Sequence, residues 1–539
     1  MSNTKMSPFA ETIARERYFH PGETTWADVA RRVARTVLGA VDAPRDLVDA
    51  AERLVRERVF MPGGRYLYAA GRPYAQCQNC LLLRVEDTRE GWGDTLTHVA
   101  TASCSGAGLG VVYSDLRPRG APLHRSGGAA SGPLPLMHAV NEVGRAALNG
   151  GARRAALWAG LHWSHPDVLD FIQMKDWPEE IRALKRKDFS AMATMDHTNI
   201  SVILDDDFFA RVETDEAAQT VFDRALRGML RTGEPGFSID VGANARENLR
   251  NACTEVCSED DSDICNLGSI NLARVESTRE MEEVVEVATA FLLAGTVYSD
   301  VPYNKVVHVR AKNRRLGLGL LGIHEWLVRG GHQYGPCEAL LPYLRAYERS
   351  TGFASKWSRT WNLSAPVKTR AIAPTGTIGI VAETTTGIEP IFAAAYLRRY
   401  FDRGSWRAQY VLDPTAKRLV ADGVDPDRIE DALSLAGDVD RRLSFQAWMQ
   451  RHVDHAISST INLPPWGSAG NDEGTVPRFA AVLRRHLPRL RGVTCYPDGA
   501  RAGQPIVRVD YRDAERHVGE VLTESVDVCD LRGGGTCGA

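Results

Sequence analysis

The stretch Asn251-Ala252-Cys253-Thr254-Glu255 places an amide, a thiol and a carboxylate at alternate positions of the chain. If these residues are extended, the three side chains leave one face, because the side-chain period of a strand is two. A thiol between an amide and a carboxylate can hold a hydroxyl-bearing substrate and deprotonate it. Taken alone the triplet is a weak signal, since a buried cysteine often has two polar neighbours.

Cysteines are concentrated near residue 80, around residues 253–265 and in the last eleven residues. The N-terminus has no apolar secretion segment, which predicts a cytoplasmic location and a reducing environment. In such a compartment cysteines are more often buried, metal-binding or catalytic than paired in structural disulfides. The ten cysteines are Cys77, Cys80, Cys104, Cys253, Cys257, Cys265, Cys337, Cys495, Cys529 and Cys537.

Composition excludes several classes of protein. The chain has 539 residues, and 65 Lys and Arg against 68 Asp and Glu give a net charge of −3. A hydrophobic fraction of 44% and a charged fraction of 25% are typical of a globular protein. Disordered or collagen-like chains and nucleic-acid binding driven by bulk charge are therefore excluded. The longest uncharged apolar run, residues 287–299, is shorter than the roughly 20 residues that span a bilayer.

Three segments are predicted along the chain. Residues 1–60 form a helical N-terminal segment. Residues 61–510 mix strand-like stretches, such as residues 199–204, with helix-like stretches, such as residues 282–297, without a linker, as one large α/β domain does. Residues 511–539 end in a glycine-dense tail, which we expect to be flexible. Cys529 and Cys537 on this tail suit a moving dithiol. The alternative, part of a metal site, lacks nearby ligands, since zinc usually takes four.

Two further loops bear on binding. Residues 150–156 join glycines to the adjacent guanidiniums of Arg153 and Arg154. The turn Pro374-Thr375-Gly376-Thr377-Ile378 offers hydroxyl and backbone N–H donors to a phosphate. It lacks the lysine of a P-loop, which disfavours a Walker-type site.

The order of these motifs resembles the catalytic large subunit of ribonucleotide reductases, most closely the adenosylcobalamin-dependent class II. The resemblance implies a ten-stranded α/β barrel of two five-stranded halves with a central finger loop. The matching stretches, in family order, are Phe60-Met61-Pro62-Gly63-Gly64-Arg65, Asn79-Cys80-Leu81-Leu82-Leu83, residues 251–255, the Cys265 segment, Asn313-Arg314-Arg315-Leu316-Gly317-Leu318-Gly319, residues 374–378 and Gly387-Ile388-Glu389-Pro390-Ile391-Phe392.

The resemblance also implies roles for the residues. Cys253 is expected to carry a transient thiyl radical that removes the hydrogen at C3′, with Glu255 as the base at the 3′-hydroxyl and Asn251 positioning the substrate. Cys80 and Cys265 form the redox-active disulfide pair, which Cys529 and Cys537 re-reduce by thiol exchange. Residues 374–378 bind the substrate phosphates. Asp87 and Arg125 contact a deoxynucleotide allosteric effector, and the loop with Arg153 links that effector to base choice.

The implied partners are a ribonucleoside di- or triphosphate substrate, the deoxynucleotide effector and a thioredoxin-like reductant, in DNA biosynthesis. No DNA, membrane or protein-ligated metal is expected, and a homodimer is possible. Class I enzymes receive their radical through two adjacent tyrosines, but here Cys495 precedes Tyr496. We therefore favour adenosylcobalamin over the alternative, a class I type large subunit served by a separate small subunit.

Two further functions are alternatives to a reductase. A non-catalytic nucleotide-binding paralogue has no need of the full set of cysteines in the expected dithiol relay. A metal-binding or redox-scaffold protein would bind stoichiometric metal, which a metal assay detects.

Overall fold

The structure is a computed structural model that describes residues 6–149, 153–187, 191–402, 405–500, 506–518 and 520–523. Across these residues no helix is both long enough and apolar enough to cross a membrane. The predicted tail cysteines, Cys529 and Cys537, lie outside the described residues.

Three helices open the chain. Thr25 caps the second of them. Its side chain accepts a hydrogen bond from the Asp28 N–H, and the Asp28 carboxylate accepts one from the Thr25 N–H. An apolar stripe on this helix is buried against the rest of the protein. The helices are α1 (Pro8–Tyr18), α2 (Trp26–Gly39) and α3 (Arg45–Arg56).

The next region builds five parallel strands, β2, β3, β6, β7 and β8, joined by helical crossovers. Its elements are β1 (Phe60–Pro62), α4 (Gly64–Ala69), β2 (Cys80–Arg84), α5 (Arg89–Ser105), β3 (Gly108–Val112), α6 (Leu134–Ala146), β4 (Leu148–Asn149), β5 (Arg153–Arg154), β6 (Leu157–His162), α7 (Val168–Gln173), α8 (Glu179–Lys187), β7 (Thr198–Asp205), α9 (Asp206–Arg211), α10 (Glu216–Thr232) and β8 (Gly236–Asp240).

A short hairpin follows, and then a second set of strands and helices. The hairpin is β9 (Leu249–Arg250) with β10 (Cys257–Ser258). The later elements are β11 (Asp263–Asn271), α11 (Thr278–Tyr298), α12 (Asn304–Asn313), β12 (Leu316–Leu321), α13 (Ile323–Arg329), α14 (Leu341–Glu348), α15 (Ser350–Thr360), α16 (Gly376–Ala382), β13 (Ala395–Asp402), β14 (Ser405–Leu412), α17 (Pro414–Ala421), α18 (Val439–Gln450), β15 (Thr460–Leu463), α19 (Val476–His486), β16 (Gly492–Pro497), β17 (Ile506–Arg508), α20 (Tyr511–His517) and β18 (Val521–Thr523).

The second half-barrel contains β11, β12, the extended residues 369–372, β15 and β16. The pair β11 and β12 is parallel, as is the pair β15 and β16. Residues 369–372 close the gap between them, since the Ala371 N–H donates to Leu318 O (3.0 Å) and the Ser458 N–H donates to Ile372 O (2.9 Å). Both seams between the halves are antiparallel: β11 pairs with β2, and β16 pairs with β8.

The expected ten-stranded α/β barrel of two five-stranded halves is thus confirmed, with the β9–β10 hairpin as its central finger loop. Within the described residues, β1 extends the barrel sheet by pairing with β11, and β13, β14, β17 and β18 form a separate sheet. The domain boundaries at residues 60 and 510 stay predictions.

Candidate active site

The tip of the finger loop, residues 251–256, is a turn, so the extended form considered for the Asn251-Ala252-Cys253-Thr254-Glu255 stretch is wrong. Thr254 has φ +66°, and its N–H donates to Asn251 O (3.0 Å). The Asn251 side-chain oxygen accepts from the Val256 N–H (3.0 Å) and closes the turn. This turn, and not the alternation of a strand, brings the amide, thiol and carboxylate together.

The base of the finger loop is held by contacts deep in the barrel. Arg250 is fully buried and donates to the Asp240 carboxylate (2.5 Å) and to Ile239 O (3.1 Å). On the other side of the loop, the Ala456 N–H donates to Glu255 O (2.9 Å), and the Cys257 N–H donates to His455 Nδ1 (3.2 Å). Contacts from both half-barrels therefore fix the height of the tip.

A cavity of about 490 Å³ opens beside the tip, within the range of small-molecule sites. It brings together nine of the residues predicted from the sequence. They are Asn251, Cys253, Glu255, Cys80, Pro374, Thr375, Gly376, Thr377 and Ile378. We call this space the substrate cavity.

Glu255 lies at the buried end of the substrate cavity. Burial raises the pKa of its carboxyl to about 7, and hydrogen bonds from its own backbone and from the Asn251 side chain oppose that rise. One carboxylate oxygen, Oε1, lies 4.0 Å from the Cys80 thiol. Among the described residues the other, Oε2, is buried without a hydrogen-bond partner. The site therefore keeps a free acceptor with a pKa suited to proton transfer near neutral pH.

Cys253 is deep in the protein, but its side chain has an open surface because it borders two cavities. Burial, with a smaller contribution from Glu255, raises the pKa of the Cys253 thiol well above its usual range. The thiol therefore holds its hydrogen at neutral pH, which suits hydrogen-atom transfer and disfavours nucleophilic attack by a thiolate.

Cys80 and Cys265 face each other on the antiparallel strands β2 and β11. Paired residues in such a ladder have Cα atoms roughly 4.5–5.5 Å apart, inside the range of roughly 4.4–6.8 Å that a disulfide needs. Both are free thiols in this structure. Burial raises the pKa of each thiol, with further contributions from Glu255 at Cys80 and from Asp263 at Cys265. Cys80 lines the substrate cavity, whereas Cys265, its partner across the ladder, is fully buried and does not line it.

A second cavity of about 200 Å³ lies on the other side of Cys253. We call it the rear cavity. It is lined by aromatic rings and by hydroxyl side chains of neighbouring strands. These include Trp158, Ser201, Thr460, Thr494 and Tyr496. Cys495, between Thr494 and Tyr496 on β16, points to the opposite face and is buried in the core.

The predicted effector residues lie elsewhere. Asp87 follows β2, is half-buried and accepts a hydrogen bond from Arg117 Nε (2.8 Å). Arg125 is exposed in a turn before α6. Arg153 begins β5, which pairs with β4 across residues 150–152, and those three lie outside the described range.

One part of the substrate cavity was missed by sequence reasoning. The end of α1 contributes Glu16, Arg17 and Tyr18 to its wall. The sequence predicted only that residues 1–60 are helical, and helical periodicity carries no signal that a lead-in helix lines a site in a distant barrel. Arg65, within the quoted 60–65 motif, also lines the cavity.

A ten-stranded barrel with two facing cysteines and a cysteine-bearing finger loop is the architecture of one class of protein. Residues 78–223, 215–356 and 367–485 match the family described as ribonucleotide reductase, barrel domain. The chain belongs to this family, and it is an oxidoreductase. Its likeness to B12-dependent relatives confirms the resemblance to the class II large subunit.

Two relatives support this placement, and a solved structure shares the fold. A "vitamin B12-dependent ribonucleoside-diphosphate reductase" of Mycobacterium tuberculosis (strain CDC 1551 / Oshkosh) is 29% identical over 93% of this chain and 80% of its own length. A "putative adenosylcobalamin-dependent ribonucleoside-triphosphate reductase" of Mycobacterium phage D29 is 28% identical over 82% and 74%. The Actinobacillus ureae class Id ribonucleotide reductase alpha subunit shares the fold, with a TM-score of 0.73 and 15% identity over 92% of this chain and 97% of its own.

Proposed function

We propose that this chain reduces ribonucleotides to 2′-deoxyribonucleotides by thiyl-radical chemistry, using adenosylcobalamin and a cysteine pair. The observation that carries the proposal is the convergence, in one cavity, of the Cys253 thiol, the unpartnered oxygen of Glu255 and the Cys80 thiol facing Cys265. A nucleotide-binding protein without redox chemistry needs none of the three.

The chemistry balances on these residues. As a thiyl radical, Cys253 takes the hydrogen atom from C3′ of the ribose, while Glu255 Oε2 accepts the 3′-hydroxyl proton. One thiol of the pair protonates the 2′-hydroxyl, which leaves as water, and the hydrogen of the other thiol goes to C2′. Cys80 and Cys265 supply two electrons and end as a disulfide. Glu255 returns its proton to the 3′-oxygen, and Cys253 then returns its hydrogen atom to C3′ and regains the radical. Asn251 and the 374–378 turn hold the substrate.

The rear cavity fits the adenosyl part of the cofactor. Its hydroxyl side chains match the polar edges of a nucleoside, and Trp158 offers an aromatic face. Gly236 keeps this space open, since a Cβ there would lie 2.9 Å from Val493 O and 3.1 Å from Ser201 Oγ. Ser201, Thr460, Thr494 and Tyr496 would hold the group. When bound, adenosylcobalamin supplies a weak Co–C bond as the source of the radical.

The rear cavity also bears on the class I alternative. Radical transfer through a tyrosine pair needs two neighbouring rings on the path to Cys253. Of the adjacent residues Cys495 and Tyr496, only Tyr496 lines the rear cavity. Cys495 is buried on the other face of β16, so the side chain beside Tyr496 offers no ring toward Cys253. This arrangement supports a cofactor bound in the same chain over a radical delivered by a small subunit.

The proposal extends to regulation and re-reduction. Asp87 and Arg125 would bind a deoxynucleotide effector, and Cys529 and Cys537 would re-reduce the Cys80–Cys265 disulfide with electrons from a thioredoxin-like protein. Support for a link to the substrate comes from the β4–β5 hairpin, because Ala156, two residues after Arg154, lines the substrate cavity. A cytoplasmic location remains a prediction.

The test is a reductase assay on the purified chain. With adenosylcobalamin, a dithiol and a ribonucleotide, we expect deoxyribonucleotide without any second subunit. Cys253→Ala should abolish product and keep nucleotide binding, whereas Cys104→Ala, an exposed thiol on α5, should behave as wild type. Product that requires a small subunit would move the chain to class I, and turnover by Cys253→Ala would refute the radical role.

A further inference from the structure

The first helix runs along the wall of the substrate cavity in a defined direction. At its start, the Ser7 N–H donates to Glu383 Oε1 (3.0 Å), and Glu383 follows the last residue of α16. Since α1 packs along α16 from this contact, its other end lies beside the first turn of α16. Glu16, Arg17 and Tyr18 accordingly line the cavity together with Gly376 and Thr377.

Packing fixes that end of α1. Ala10, Ala14 and Tyr18 form its buried stripe at a spacing of four residues. Tyr18 lies against Gly64, where a Cβ would come within 3.0 Å of the tyrosine hydroxyl. Arg32 Nη2 donates to the Tyr18 carbonyl (3.0 Å). Arg17 is therefore carried on an anchored turn, although its own side chain is exposed.

Glu16, the residue before Arg17, also lines the cavity, but within the described part of the chain it forms no ion pair with Arg17. Arg15, on the same helix, is paired with Glu11 (2.7 Å) and donates to Thr24 O (2.8 Å). Arg17 has no ion pair with a carboxylate among the residues that the structure describes. The other guanidinium of the cavity wall, Arg65, donates to the neutral carbonyls of Gln76 and Ser105. The guanidinium of Arg17, which shares the cavity with the 374–378 turn, is therefore available to an anion.

We propose that Arg17 binds the outermost phosphate of the substrate nucleotide. A guanidinium recognises phosphate through two parallel hydrogen bonds, and it keeps its charge at every physiological pH. The proposal rests on the proposed function, because it takes the 374–378 turn as the place of the inner phosphates. It assigns the choice between diphosphate and triphosphate to α1, which lies outside the matched residues 78–485.

Binding of a nucleoside, its diphosphate and its triphosphate to the full chain tests the assignment. In Arg17→Ala we expect the affinity for the preferred polyphosphate to fall at least about tenfold, as loss of a charged hydrogen bond does. Affinity for the nucleoside, which has no phosphate, should not change. Arg15→Ala, which removes the same charge from the same helix outside the cavity, should bind all three ligands as wild type does.

Kinetics separates phosphate binding from a structural effect. Arg17→Ala should raise KM for the polyphosphate and narrow the preference between diphosphate and triphosphate, with kcat retained. Arg17→Lys should recover part of the affinity. Unchanged polyphosphate affinity in Arg17→Ala, or an equal loss for the nucleoside, would overturn the assignment. Absence of deoxynucleotide product from the wild-type chain would instead refute the proposed function. The binding measurements require no turnover, so the two failures can be told apart.

Discussion

At the scale of single residues, the site holds thiols that keep their protons at neutral pH and one carboxyl group whose pKa lies near neutral pH. Burial raises the pKa of the Cys253, Cys80 and Cys265 thiols, so each carries hydrogen at neutral pH. The same burial brings the Glu255 pKa to about 7. A base at the 3′-hydroxyl must be ionised to accept a proton, so in the proposed mechanism the protonation state of Glu255 should control the rate.

Reduction should therefore follow the ionisation of Glu255. As the pH rises through about 7, the carboxylate fraction grows, and kcat/KM should rise with an apparent pKa near that value. Glu255→Gln cannot accept the proton and should lower kcat by roughly 10²–10⁴-fold, the usual contribution of general base catalysis. The measurement is the pH–rate profile between pH 5.5 and about 9.

Glu283→Gln on the surface of α11 serves as the control, because Glu283 is exposed and pairs only with Arg279 among the described residues. It should keep the wild-type profile. If kcat/KM of Glu255→Gln still rose with pH through the same range, another group would be titrating. That result would contradict the role of Glu255.

The types of these residues were predictable, but their geometry was not. The stretch at residues 251–255 identified Asn251, Cys253 and Glu255 from their chemistry. Their arrangement depends on Thr254 in the left-handed region, at φ +66°, a conformation that β-branched residues seldom adopt. Surrounding contacts impose it, and no local sequence preference indicates it.

At the scale of elements, the finger loop owes its position to the closeness of its backbone to β3. A Cβ on Gly110 would lie only 1.8 Å from Arg250 O, which no side chain permits. Gly110→Ala should therefore displace the base of the finger loop and the Cys253 tip with it. We expect loss of reduction and a destabilisation of about 1–3 kcal/mol or more from overpacking, measured by activity and thermal unfolding.

Gly93→Ala is the matched control on α5. A Cβ there would meet nothing within 4 Å, and alanine favours a helix over glycine. This variant should be active and at least as stable as wild type. Wild-type activity in Gly110→Ala would mean that the approach of the finger loop to β3 does not position the tip.

Elements with a strong local pattern were predicted correctly. The strand at Cys80 is β2, the strand-like residues 199–204 lie in β7, and the helix-like residues 282–297 lie in α11. Residues 369–372, which close the second half-barrel, carry no local strand pattern in the sequence. Their extended form is defined by backbone hydrogen bonds to distant parts of the chain. The position of α1 on the cavity also depends on tertiary packing alone.

At the scale of the whole molecule, the barrel brings together pieces that are far apart in the sequence. Its halves are antiparallel to each other, so β2 of the first half meets β11 of the second and Cys80 faces Cys265. The family resemblance anticipated the two halves and the finger loop. Composition and periodicity alone indicated an α/β domain and no topology, because strand order depends on long-range pairing.

In the proposed mechanism, the substrate cavity performs one balanced reduction at the expense of its own thiol pair. The most direct measurement is a single turnover with adenosylcobalamin and ribonucleotide but no external reductant, in a Cys529→Ser, Cys537→Ser chain. The proposed mechanism predicts one deoxyribonucleotide per active chain and, by peptide mass mapping, a new Cys80–Cys265 disulfide. Deoxyribonucleotide formed while Cys80 and Cys265 both remain free thiols would contradict it.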